Sequence, residues 1–369
     1  MSQPPKKVLL VAGRFEVRGS SGNTLRLAEG LRQHGVETAI ITPNADCVAP
    51  ERRKRLAVAV YPRLNLPVWG RVVRRTIVRD LFHHPPDLIH IQSWNAYRLG
   101  TWLARRLGRP FVLSIHGYLS PQVRVGFNRQ WGRRIIAVSQ SVKSELLSRT
   151  SLPPEMVSVI HAGVVIPASA STPPVLAPGR LPVVGTAGPL EAIKGHAFFL
   201  GAAQRVSLAC PDTEFLIAGA GPEEENLRRL ARDLGINPRV TFASNPYDFA
   251  VSLAAIDIFC LPSLRQGLGT IMLEAMARGR PVIASGVGGI YSVIRNNETG
   301  LVVPPSDSAG LAERILELLH DPVRARSIGE AGRRLVADEF GVERMVAQTA
   351  ELYREVLARE PAASATVVV

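Results

Sequence analysis

Short, continuous apolar runs recur along the chain and alternate with longer stretches whose apolar residues return every three to four positions. Residues 8–12, 38–42, 87–91, 110–115 and 134–139 show little polar alternation, the mark of strands covered on both faces. Between them, 24–34 and 96–107 follow the helical period. The same rhythm returns at 183–186, 214–218, 240–243, 258–261 and 281–284. Strands separated by helices predict an α/β fold of two Rossmann-like domains, with parallel sheets facing each other across a cleft. Residues 166–182 lack any period and are dense in Pro, Ser and Ala, which predicts a linker. The expected organisation is a first domain over 1–166, a linker over 167–182 and a second domain over 183–345. A C-terminal helix and tail follow over 346–369, the helix being a candidate to pack back on the first domain. Ligands of such sheets bind at the carboxyl ends of the strands, so the cleft is the expected site.

Composition narrows the class. The 369 residues are 46% apolar and 6% aromatic, as in a soluble globular protein. Cys47, Cys210 and Cys260 have no C-x-x-C spacing, so neither a disulfide framework nor a zinc site is expected, and a reducing cytoplasm fits best. The apolar run after Lys6 and Lys7 is too short for a signal peptide and reads as a buried strand; nowhere is a run long enough to cross a bilayer.

The net charge of +13 is uneven: residues 1–170 hold 25 Lys and Arg against 9 Asp and Glu, and the remainder 19 against 22. A basic first half implies a polyanionic partner: a phosphorylated substrate, nucleic acid or an anionic membrane surface. Residues 68–82 drawn as a helix put Trp69, Val73, Ile77 and Leu81 on one side, with Arg71, Arg74, Arg75 and Arg79 on the other. A second basic cluster, Arg124 to Arg134, carries Phe127 and Trp131. Two readings stand: a peripheral contact with anionic membrane or a lipid diphosphate acceptor, and an ordinary covering helix with a solvated arginine face. Nucleic acid is set aside, because basic motifs interleaved with aromatics for base readout are absent.

The stretch 262–277 carries the most chemistry. Gly267, Leu268, Gly269 and Thr270 form a short loop running into a helical pattern, where backbone N–H groups converge on one spot that attracts anions. Eight residues after Gln266, Glu274 stands in an otherwise apolar helix, where an unpaired buried charge costs several kcal/mol. A nucleotide accounts for both, with phosphate at the helix start and ribose hydroxyls at the carboxylate. Upstream, Gly188 follows a predicted strand and Lys194 stands at the same cleft edge, either as a phosphate cation or as a solvated surface charge. The glycine turns 219–222 and 286–289 are weak signals alone. In the first domain Gly19 and Gly22 lie in a loop between a strand and the helix at 24–34. The G-x-G-x-x-G spacing is missing and no acidic residue ends the second strand, which disfavours a nicotinamide cofactor. His116 directly follows a strand; both a core histidine and a ligand contact fit that place. No Asp-x-Asp pair and no close His/Asp/Glu cluster occurs, so no divalent metal is expected, and no G-x-S-x-G elbow or Walker lysine loop is present.

The set Gly188-x-Leu190-x-x-x-Lys194-Gly195, Ala218-Gly219-x-Gly221-Pro222 and Pro262-Ser263-x-x-x-Gly267-x-Gly269-x-x-x-Leu273-Glu274-Ala275-Met276-Ala277-x-Gly279-x-Pro281-Val282 resembles family 4 glycosyltransferases of the GT-B fold. Gly288-Gly289, Gly300-Leu301-Val302-Val303-Pro304 and Gly332-Arg333 extend the resemblance, and Ser114-x-His116-Gly117 and Ala137-Val138-Ser139 match more loosely in the first domain. The resemblance implies a retaining transferase. It would move a sugar from a nucleoside diphosphate sugar to a lipid-linked or saccharide acceptor, without a cofactor or metal, at the inner face of the membrane or in the cytoplasm. It also implies that Lys194 and the amides of Gly267–Thr270 neutralise the leaving diphosphate, Glu274 holds the ribose and His116 touches the donor sugar. Gly19, Gly22 and Gly188 join the donor-binding set, and Gln266 joins His116 and Lys194 as catalytic. Two positions depart from the family pattern: Pro189 stands where an arginine is usual, and Gln266 where the first of two glutamates is usual. A non-catalytic nucleotide-sugar-binding relative and a sugar-nucleotide epimerase are the alternatives; the epimerase needs cleft carboxylates of which the sequence has few.

Overall fold

The computed structural model describes residues 6–16, 19–64, 66–123, 125–168, 173–244 and 249–358. Contacts between Cα atoms divide them into two compact units, one built on Ser20–Gly163 and closed by the chain from Val342 onward, the other built on Val164–Gly341.

The first unit holds seven parallel strands in the order β3-β2-β1-β4-β5-β6-β7. These are β1 (Lys7–Val11), β2 (Glu37–Thr42), β3 (Val58–Val60), β4 (Leu88–Ile91), β5 (Phe111–Ile115), β6 (Gly132–Ala137) and β7 (Val157–Val159). Helices α1 (Gly19–Gln33), α2 (Pro50–Arg55), α3 (Trp69–Phe82), α4 (Tyr97–Leu107) and α5 (Gln140–Ser148) connect them. The central strands are apolar at nearly every position because both faces are covered: Val8, Leu9, Leu10 and Val11 of β1 are all buried. Strand order reverses between β1 and β4, which marks the place where such sheets open for ligands.

α1 starts five residues earlier than the period predicts. Its small polar residues bond locally: Thr24 Oγ1 donates to the Ser20 carbonyl at 3.0 Å, and Ser21 Oγ accepts from the Glu16 N–H at 3.1 Å. Gly19 and Gly22 accordingly sit in the opening turns of a helix and not in an open loop. The amphipathic reading of α3 also changes. Ile77 is buried, but Trp69 is 52% exposed, and Leu66, Val68, Val72 and Phe82 are exposed with it. In the second basic cluster Arg124 lies outside the described residues, Arg129 is exposed, and Phe127 packs edge-on against Phe111 at 5.5 Å between centroids.

The second unit has six parallel strands in the order β10-β9-β8-β11-β12-β13. They are β8 (Val183–Ala187), β9 (Glu214–Ala218), β10 (Val240–Ala243), β11 (Ile258–Leu261), β12 (Val282–Ser285) and β13 (Leu301–Val303). The helices are α6 (His196–Ala209), α7 (Glu224–Asp233), α8 (Ala250–Ala255), α9 (Thr270–Met276), α10 (Ser308–His320) and α11 (Pro322–Glu339). Order reverses between β8 and β11. Of the segment read as a linker, residues 169–172 lie outside the described residues. The part after them is packed: Val175 joins the core around Phe199 and Phe215, and Leu176 and Val183 donate their N–H groups to the buried Asp257 at 2.8 and 2.9 Å. Arg180 pairs with the same carboxylate.

The last described helix, α12 (Val342–Ala358), belongs to the first unit. Met345, Val346, Leu352, Tyr353 and Val356 enter its core. Gly30 of α1 admits this helix, since a Cβ there would lie 2.3 Å from a Val346 methyl. The tail at 359–369 lies outside the described residues. No described helix is long and apolar enough to cross a membrane.

Candidate functional site

In the second unit the loops leaving β8 and β11 flank the point where strand order reverses. They are locked together by backbone. Leu264 donates its N–H to the Ile193 carbonyl at 2.9 Å. Gly195, with φ +69°, leaves room for the Pro262 carbonyl, which a Cβ would meet at 2.0 Å. Only glycine takes both that backbone and that approach. The result is that Lys194 Nζ donates to Gln266 Oε1 at 3.1 Å, across 72 positions of sequence. Lys194 is half-buried, so its cation is held in place and reachable.

The flanking glycine turns support this pair from both sides. A Cβ at Gly219 would lie 2.0 Å from the Gly188 carbonyl and one at Gly221 2.4 Å from the Leu190 carbonyl, so the 219–222 turn braces the loop after β8. On the other side Gly289 donates its N–H to the Gln266 carbonyl at 3.1 Å, and a Cβ there would stand 1.8 Å from the Gly267 carbonyl. These glycines are explained by close backbone approach. Gly188 itself has φ +141° and open space where a Cβ would be.

Gly267, Leu268 and Gly269 are buried, and Gly269, with φ +90°, is the N-cap of α9 with no side-chain cap. Glu274 differs from expectation. Its neighbours Met272, Leu273, Ala275 and Met276 are buried, but Glu274 is half-exposed. It lies one turn after Thr270, also half-exposed, so the two share the accessible face of this short helix. The residue is therefore partly accessible on that face.

His196, a residue the sequence reading passed over, completes the second-unit set. Its Nε2 bonds the Pro189 carbonyl at 3.3 Å and its Nδ1 is buried without a partner. Burial pushes its pKa down to about 4, the Pro189 bond opposing and the Lys194 charge assisting. A neutral ring therefore fixes the loop that carries Lys194. The oxygens of Thr186 on β8 and Ser263 after β11 are buried without hydrogen-bond partners near the same strand ends.

His116 belongs to the first unit, at the end of β5. It bonds the Gln92 carbonyl, and its Nε2 is buried without a partner. Burial lowers its pKa to about 4, against that bond. A neutral ring donating through Nδ1 leaves Nε2 as a bare acceptor. Beside it His90, whose pKa burial and the neighbouring His116 lower to about 3, bonds Tyr353 Oη at 2.5 Å and Ser114 Oγ at 2.8 Å. His90 thus ties α12 to the sheet. Polar residues inside an apolar run, His90 and Gln92 at the end of β4, were the signal for this cluster. Ser139 is the N-cap of α5, accepting from Val142 N at 3.3 Å, which accounts for that motif residue without a ligand.

A family model described as Glycosyltransferase Family 4 matches residues 17–166, and one described as Glycosyl transferases group 1 matches 181–321. The chain is 39% identical to the GDP-mannose-dependent monoacylated alpha-(1-6)-phosphatidylinositol monomannoside mannosyltransferase of Corynebacterium glutamicum, over 44% of this chain and 45% of that protein. It therefore spans less than half the length of that relative. It is 28% identical to the Phosphatidyl-myo-inositol mannosyltransferase of Mycobacterium leprae over 87% of this chain and 89% of that one. Anabaena Alr3699/HepE in complex with UDP and glucose superposes with a TM-score of 0.80 at 20% identity, over 95% of this chain and 100% of that one, a likeness of fold. Two parallel α/β units, each matched by its own model, place the chain in one family: it belongs to the family 4 glycosyltransferases and has the GT-B fold.

Proposed function

We propose that the protein is a retaining glycosyltransferase that moves a sugar from a nucleoside diphosphate sugar to a lipid-linked or saccharide acceptor. The observation that carries this reading is the Lys194–Gln266 pair at the strand-order reversal of the second unit. When the bond from the anomeric carbon to the diphosphate breaks, negative charge grows on the leaving oxygen. A positioned cation stabilises that charge where it forms. Lys194 supplies it, the backbone around Gly267–Thr270 adds dipoles, and Glu274 on the accessible face of α9 receives ribose hydroxyls. His116 Nε2, a bare acceptor, takes a hydrogen bond from a hydroxyl of the donor sugar. No side chain of this set is a nucleophile placed to form a glycosyl-enzyme. The acceptor oxygen therefore attacks on the face from which the diphosphate leaves, its proton passing to a diphosphate oxygen, and configuration is retained. With no Asp-x-Asp pair in the sequence, the diphosphate charge falls to Lys194 in a metal-independent reaction.

Gln266 changes the electrostatics of this site in a definite direction. A carboxylate in its place would pair with Lys194 and cancel part of the charge meant for the diphosphate; an amide accepts the same hydrogen bond without adding a negative charge. In the first unit, the exposed Leu66, Val68, Trp69 and Val72 beside the arginines of α3 support a peripheral contact with anionic membrane.

Thermal-shift titration with UDP, GDP, ADP and TDP tests the donor reading, since a ligand that binds only the folded state raises its melting point. One nucleotide should stabilise wild type, and Lys194→Ala should lose most of that shift. Silence with all four would sink the reading, and binding without donor hydrolysis or transfer would assign a non-catalytic relative instead.

A further inference from the structure

A cavity of about 620 Å³ lies between α3 and α4 of the first unit, in the size range of small-molecule sites and unused by the donor reading. Arg71, Arg74, Arg75 and Arg79 line it from α3, and Arg106 and Trp102 from α4. This grouping is electrostatically unfavourable as it stands. Arg71, Arg75 and Arg79 follow one another at helical i, i+4 spacing, where like charges destabilise a helix. α3 contains one carboxylate, Asp80, set against Arg79 at 3.8 Å with both side chains exposed, and α4 contains none. The Nε of Arg74 is buried without a hydrogen-bond partner. The Arg106 guanidinium lies 5.9 Å from the Trp102 ring centroid, held by an aromatic face and not by an acid. Among the described residues, nothing of opposite sign inside the cavity offsets this concentration of charge.

Five guanidinium groups around one concavity match a compact group that presents several anionic oxygens. Phosphate does so: its tetrahedral oxygens accept from several planar forks at once, whereas a carboxylate occupies one fork. The aromatic surface of Trp102 beside the arginines suits the organic part such a phosphate is attached to. We infer that the α3–α4 cavity is a binding site for a phosphomonoester or diphosphate group, contributed by a soluble phosphate compound or by a lipid headgroup. The inference rests on the first unit alone and stands whether or not Lys194 binds a donor.

Isothermal titration of the full chain with inorganic pyrophosphate, in near-physiological salt, tests it. Pyrophosphate can also reach Lys194, so the measurement is made in wild type and in Lys194→Ala. A saturable event should survive Lys194→Ala and weaken about ten-fold or more in Arg74→Gln/Arg106→Gln. Arg98→Gln/Arg105→Gln removes the same charge from exposed positions of α4 that do not line the cavity, and should leave the affinity within about two-fold. Should loss of the part-buried Arg74 unfold the protein, Arg71→Gln/Arg75→Gln, both exposed, carries the same expectation. Flotation with vesicles of phosphatidic acid and of phosphatidylserine at matched surface charge separates the sources. Preference for the phosphomonoester lipid, lost in the cavity variant, assigns a headgroup; pyrophosphate binding without that preference assigns a soluble compound. Equal losses in cavity and control variants, or no event surviving Lys194→Ala, would overturn the site.

Discussion

The two units share a parallel α/β plan but solve opposite problems with their loops. In the second unit, glycines at 195, 219, 221 and 289 let backbone press on backbone, and the loops after β8 and β11 become one rigid piece carrying Lys194. In the first unit, the polar ends of the strands are filled by buried neutral histidines, and charge is displaced outward onto α3 and α4. Rigid backbone suits a site that must place one cation against a leaving group. A basic, partly apolar outer face suits a variable or membrane-borne partner. The near-neutral charge of the second half against the excess in the first is the same division seen in composition.

The most severe test of this contrast is Lys194→Ala. If the cation exists to meet charge that forms during reaction, turnover should fall by about 10²–10³ while the melting point barely moves, because Lys194 is half-buried and not part of the core. Initial rates of donor hydrolysis, with melting curves on the same preparations, report both. Equal loss of stability would make Lys194 a structural residue and the contrast between the units would lose its functional half.

How far the sequence announced these regions follows from what each depends on. Strands β9 and β11 begin and end where the apolar runs do, because a strand buried on both faces has no other way to be written. The edge strands β3, β7 and β13 escaped, being three residues each and too short to establish a pattern. Lys194 and Gln266 were legible as separate signals beside glycines. Their contact was not, since it depends on Gly195 admitting the Pro262 carbonyl. Glu274 was legible as a carboxylate in an apolar helix; its partial accessibility was not, since a seven-residue helix buries the residues on either side of it. His90 had no local signal of its partner, since Tyr353 arrives from 263 positions away.

The histidines make the next test. His90 and His116 in the first unit and His196 in the second are neutral when folded, with pKa values lowered to about 3, 4 and 4. Unfolded, each takes up a proton below about pH 6.5, so the unfolded state binds more protons and stability falls as pH drops. Each costs about 2 kcal/mol by pH 5, and the first unit holds two of the three. All four tryptophans, Trp69, Trp94, Trp102 and Trp131, lie in the first unit, so their fluorescence reports that unit alone. Between pH 7 and pH 5 the urea midpoint by fluorescence should fall further than the one by far-ultraviolet circular dichroism. Coincident midpoints at both pH values would mean that the units unfold as one, and the acid sensitivity could not be assigned to either.

A smaller effect is expected of Gln266→Glu. The new carboxylate would stand within hydrogen-bond reach of Lys194 and compete with the diphosphate for its charge. The dissociation constant for the preferred nucleoside diphosphate should rise about three- to ten-fold, as befits a half-exposed ion pair. Raising the salt concentration should narrow the difference. Tighter binding in the variant would show that Lys194 is set by its other neighbours and that Gln266 does not tune it.

The smallest effect distinguishes two kinds of glycine. At Gly289 a Cβ would stand 1.8 Å from a backbone carbonyl, so alanine there must displace the loop holding Gln266. At Gly22 the nearest atoms are the flexible end of the Arg26 side chain, at 3.3 Å, and the residue lies inside α1. Alanine at Gly22 should therefore stabilise the protein by about 0.5–1 kcal/mol through the lower entropy of the unfolded chain. Donor affinity decides whether Gly22 is more than a helix residue. If its backbone meets a ligand, Gly22→Ala should weaken nucleotide-sugar binding even as the melting point rises, a split that no purely structural glycine produces. Unchanged affinity with the higher melting point would remove Gly22 from the donor-binding set and leave the glycine-built site to the second unit alone.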